Sequence, residues 1–109
     1  MAKHFLNFEY AAVRPVRSPK WTVGRGHIQF NLGGTVSIRT CGKKFFLPDG
    51  DTAVIVELAS GTQFIAPMKE KDLKDAGYDM LSQDGELCNM RAKPESFTNI
   101  ANQVNGIEF

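Results

Sequence analysis

Between residues 14 and 67 no stretch longer than ten residues is free of proline or glycine. Proline removes an amide donor and glycine carries an entropy cost inside a regular element, so a helix of ordinary length has no room there. Short strands joined by tight turns do fit. Ile28, Phe30 and Leu32 alternate with His27, Gln29 and Asn31, and Val36 and Ile38 continue the period of two. Gly33-Gly34, Pro48-Asp49-Gly50-Asp51 and Ala59-Ser60-Gly61 read as turns. Phe8 and Tyr10 share a face if the segment from Phe5 to Val13 is extended. Four consecutive apolar residues, Ala53 to Val56, mark the most buried strand.

The pattern changes after Pro67. Residues 68–76 are charged and helix-competent, with Leu73 facing inward and Gly77 as a stop. Ser82 to Gly85 reads as a turn, and Glu86 to Arg91 as one more short strand. Pro94 suits the first position of a final helix, where Phe97, Ile100, Ala101 and Val104 form one apolar stripe and Gly106 fits just past the end. The expected fold class is therefore α+β and β-rich. Five to seven short strands form a strongly curved antiparallel sheet or small barrel, with one or two helices in the C-terminal third. At 109 residues, positions 1–109 make a single domain.

No apolar run approaches the roughly 18 residues of a membrane span, and no basic segment followed by an apolar core marks a secretory signal. Cys41 and Cys88 lack CxxC or Cys/His spacing, so they read as two reduced thiols in a cytoplasmic protein, with a single disulfide between them as the alternative.

The net charge of +1 hides an asymmetry. Residues 1–47 hold eight basic residues against Glu9 alone, a net +7, while residues 48–109 hold five basic against eleven acidic, a net −6. Seven of the eleven aromatic residues fall in the basic half. Cations that track phosphates, interleaved with rings that stack on bases, are the chemistry of single-stranded nucleic-acid binding. The candidate contact residues are Arg14, Arg17, Lys20, Trp21, Arg25, Lys43 and Lys44. The cluster from Arg14 to Arg25 reads as a loop with two prolines, and Gly24-Arg25-Gly26 would let backbone approach a ligand. In Phe45-Phe46 the strand period puts one ring inside and the other outside, unless the pair lies in a loop. With the positive charge on strands and loops and the negative charge on the helical end, a basic sheet face opposite an acidic helix face is expected.

Catalytic readings gain little from these residues. His4 and His27 have no HxH or HxxxH partner, so no metal site is expected, and no cofactor fingerprint is present: Gly24-Arg25-Gly26 lacks the third glycine and the following helix. Asp49-Gly50-Asp51 lacks the later ligands of a calcium loop. A Cys41–His27 nucleophilic pair would need their strands to be neighbours. The expected function is a non-catalytic nucleic-acid-binding module. The alternative is a small adaptor or inhibitor that engages a protein partner through a charged face or a sheet edge, including a second copy across a two-fold axis.

Overall fold

The computed structural model describes residues 5–31, 37–42, 44–76, 87–89 and 91–104. The elements in chain order are β1 (Phe5–Arg14), β2 (Thr22–Asn31), β3 (Ser37–Thr40), β4 (Asp51–Glu57), β5 (Gln63–Lys69), α1 (Glu70–Ala76), β6 (Leu87–Asn89) and α2 (Pro94–Val104). The expected Gly33-Gly34 turn, the Gly77 stop, the turn from Ser82 to Gly85 and the Gly106 cap lie outside the described residues, as does Lys43.

Five antiparallel strands lie in the order β2-β1-β5-β4-β3, and β6 adds a short parallel pairing to the start of β1. The path ends at β2 and β3, so the sheet is open among the described residues rather than closed into a barrel. The α+β class and the two helices match the sequence pattern; no strand forms over Phe45 to Leu47.

The run from Ala53 to Val56 is buried on both faces of β4, as its unbroken apolar sequence requires. Val54 and Val56 join Phe8, Phe64, Ala66 and Met68 in one cluster, which Leu73 of α1 covers. Ala53 and Ile55 join Ala11, Ala12 and Ile65 in the other, under Phe97, Ile100 and Val104 of α2. Phe8 and Tyr10 do share a face: Phe64 meets them at centroid distances of 5.8 and 4.8 Å.

The register between β1 and β2 slips between Tyr10 and Ala12. Tyr10 pairs with Gly26 and Ala12 with Val23, so β2 carries an extra residue. Ala11 and Ala12, beside this irregularity, both lie in the α2-facing cluster. Tyr10 occupies the space above Gly26, where an added Cβ would stand 2.3 Å from the phenol oxygen. Gly24 and Gly26 therefore sit within a bulged strand, not in a ligand-binding loop.

Strand β5 runs on through Pro67 to Lys69, although proline was expected to end it. Pro67 pairs with Ala53, whose carbonyl accepts from the Cys41 amide across the β3 edge at 3.2 Å. In an antiparallel strand a residue's amide and carbonyl point to the same side, so the Ala53–Pro67 pair is one without mutual hydrogen bonds. The β1 pairing of β5 covers only Gln63 to Ile65, so Pro67 costs the sheet no ladder bond on either side.

Helix α2 starts at Pro94, as its sequence predicts. Its N-terminus is held from outside: Asp51 Oδ2 accepts from the Lys93 amide at 3.0 Å and from the Ser96 hydroxyl. The Lys93 ammonium donates to the Asp49 carbonyl at 2.7 Å. These contacts fix the helix to the turn that precedes β4.

Candidate functional site

The positive cluster expected between Arg14 and Arg25 is divided among three elements. Arg14 ends β1, Arg25 lies on β2, and Arg17, Lys20 and Trp21 lie between the strands. The connection begins with a turn closed by Ser18 N–H to the Pro15 carbonyl at 3.0 Å. Arg17 occupies its third position with φ at 67°, a left-handed conformation usually left to glycine or asparagine. Val16 lies against Gly61 of the β4–β5 turn, where an added Cβ would stand 3.2 Å from Val16 Cγ2.

Both strand arginines are engaged within the fold. The guanidinium of Arg14 donates to Gln63 Oε1 and sits 5.4 Å from the centre of the Trp21 ring. Gln63 in turn donates to Glu57 at 2.7 Å, so an acid from the second half of the chain closes this row. Arg25 pairs with Glu9 at 2.8 Å and lies 4.3 Å from the centre of the Phe97 ring. The row Arg14–Gln63–Glu57 thus joins a base of the first half to an acid of the second, whereas Arg25 and Glu9 both belong to the first half. At this row the expected basic sheet face also carries an acid, because antiparallel pairing brings β1 beside β5 and β5 beside β4. Helix α1 carries both signs, with Lys74 and Glu70 paired at 3.2 Å.

Among the described candidate cations, those without a partner inside the fold lie in the connections. Arg17, Lys20 and Lys44 are exposed, as is Arg39 on β3. Trp21 and Phe45 both pack against the α2-facing cluster, which places the segments around them on the α2 side of the sheet. Phe45-Phe46 lies in a connection rather than a strand, yet the two rings still face opposite ways. Phe45 and Leu47 pack inward and the Phe46 ring between them is 86% exposed. One side chain of α2 holds the Phe46 backbone: its N–H donates to Gln103 Oε1 at 2.9 Å, and Gln103 Nε2 donates to its carbonyl at 3.3 Å. Sequence reasoning did not find Gln103, since nothing in a polar residue near the end of a helix signals a contact 57 positions away.

Beside this segment a cavity of about 240 Å³ is lined by residues that include Thr40, Cys41, Lys44, Phe45 and Asp51. Cys41 is a free thiol. Burial pushes it up to about 12, with the nearby Arg39 charge pulling the other way, so it is protonated at neutral pH. Cys41 adjoins β3 and His27 lies on β2, at opposite ends of the strand order, so the imagined nucleophilic pair is not assembled. Among the described residues no three His, Cys, Asp or Glu side chains group as metal ligands, and no helix is long and apolar enough to cross a membrane. Comparison of the chain with protein-family models, curated proteins and solved structures finds no match.

Proposed function

We propose that this protein is a non-catalytic, cytoplasmic module that binds single-stranded nucleic acid on the α2 side of a strongly curved sheet. One observation carries the reading: the Phe46 ring stands out of the fold on a backbone held at both its amide and its carbonyl. Such a ring is a stacking platform whose backbone is ordered before a ligand arrives. Lys44 adjoins it, and Arg17, Lys20 and the half-buried Trp21 supply cations and a second aromatic surface. Arg14 and Arg25 would act by positioning these elements, because each is already engaged within the fold. The count of charges along the chain no longer supports the reading by itself.

Strong curvature is supported by chain reach. Asn31 pairs with Phe5 at one end of β1, whereas Ser37 is level with Arg14 at the other end, through Glu57 and Gln63. On a flat sheet, the run along β1 and four strand spacings across would separate Asn31 from Ser37 by roughly 35 Å. Their connection in the chain can reach only about 23 Å. A sheet that twists and bends sharply brings the two within range, and the bulge in β2 supplies a bend.

The test is a titration of Trp21 fluorescence with oligo-dT at low ionic strength, on the wild type and on Phe46→Ala. Binding is expected, with Phe46→Ala weakening it by about five- to hundredfold, the range for loss of one base–aromatic stack. No binding by the wild type at low salt would remove the reading. A protein partner is favoured by a different observation: among the described residues the outer edge of β2 carries no strand over its ten residues. A stoichiometric protein partner captured regardless of nuclease treatment, or a dimer in sedimentation, would support that alternative.

A further inference from the structure

We infer that Gln103 is the positioning residue of the Phe46 platform, so that α2 forms part of the binding device without touching the ligand; this rests on the reading of Phe46 as a stacking surface. The carboxamide of Gln103 presents an acceptor and a donor side by side, as a peptide group does across a strand pair. It accepts from the Phe46 amide at 2.9 Å and donates to the Phe46 carbonyl at 3.3 Å. It also donates to the Asn99 carbonyl, one helical turn back, at 3.0 Å. Oε1 and Nε2 are thus both engaged, and the carboxamide is tied to the Phe46 backbone on one side and to its own helix on the other. Phe45 and Leu47 anchor the flanks in the α2-facing cluster, which leaves the ring between them directed outward. Asparagine is one methylene too short for the same reach. Glutamate keeps the acceptor for the Phe46 amide but loses both donors and sets a carboxylate oxygen against two carbonyls.

The clamp lies at the surface and buries no large group, so its removal is expected to leave the core intact. The experiment uses the full chain in five forms: wild type, Gln103→Ala, Gln103→Glu, Phe46→Ala and the Gln103→Ala/Phe46→Ala double variant. Hydrogen exchange of the residue-46 amide is followed by NMR, and oligo-dT affinity is measured at low salt. Gln103→Ala is expected to speed exchange at Phe46 by about tenfold, the scale of one lost hydrogen bond. It is expected to weaken oligo-dT binding by about two- to tenfold, the scale of ordering one side chain. In the Phe46→Ala background the same change should cost no further affinity. Gln103→Glu should retain amide protection and lose part of the affinity; if Gln103→Ala does not fold, Gln103→Asn, too short for the same reach, takes its place in both measurements. Unchanged exchange in Gln103→Ala would overturn the inference, as would an equal loss of affinity with and without the Phe46 ring. If oligo-dT does not bind the wild type, the stacking reading falls and the exchange result alone decides the clamp.

Discussion

Arg17 is the residue whose local cost is plainest. A side chain at φ 67° brings its Cβ toward the following carbonyl oxygen, which costs about 1–2 kcal/mol. Glycine would relieve that strain, yet the position holds an exposed arginine whose charge faces water. Gln63 and Glu57 meanwhile occupy the guanidinium of its neighbour Arg14 through a chain of hydrogen bonds. Arg17→Gly is expected to raise stability by about 0.5–1 kcal/mol, once the extra freedom of glycine in the unfolded chain is subtracted. The same change should weaken oligo-dT binding and flatten its salt dependence by about 0.7 in log–log slope, as one phosphate contact is lost. Urea denaturation and titration on one sample measure both. A stability gain with unchanged affinity would remove Arg17 from the interface. Its identity as a cation was legible in the sequence; its backbone conformation was not, because Pro15-Val16-Arg17-Ser18 contains no glycine to announce a positive φ.

At the level of elements, the best-specified piece is α2. Pro94 opens it, and Phe97, Ile100 and Val104 face the sheet as their spacing requires. Its cap is a tertiary one. Asp51 opens β4 and reaches across to the Lys93 amide and the Ser96 hydroxyl. Asp51→Ala is expected to cost about 1–3 kcal/mol, by loss of the cap and by leaving buried donors unpaired. Ser96→Ala removes one of the two partners and should cost less. Urea midpoints for the two variants test the order; equal and negligible losses would show that α2 is held by its apolar stripe alone. The strands divide in legibility. The double-sided burial of β4 follows from four apolar residues in a row. Continuation of β5 through Pro67 does not follow, because a missing amide matters only on an edge where a neighbour needs it, and sequence does not say which edge that is.

The whole molecule decides where charge goes. A net +7 first half and a net −6 second half suggested opposed faces, but strand order sets Arg14 of the first half beside Gln63 and Glu57 of the second, while Arg25 is paired with Glu9 from its own half. The cations left for a ligand are few, which bounds the salt response. Three or four phosphate contacts to a single strand imply a log–log slope of about −2 to −3, so that affinity falls by about thirtyfold when salt rises fourfold. A slope near zero in the oligo-dT titration would exclude phosphate contacts, and a slope far steeper would mean that Arg14 and Arg25 leave their internal partners on binding. By itself the sequence determined the elements: period and turn chemistry are local, set by steric and hydrogen-bonding preferences within a few residues. Only the tertiary structure decided which acids stand beside which bases and which face α2 covers. Likewise, only it decided that a glutamine from the last helix would hold the exposed ring in place. Those are meetings of residues tens of positions apart, fixed by strand order and packing, and no local preference encodes them.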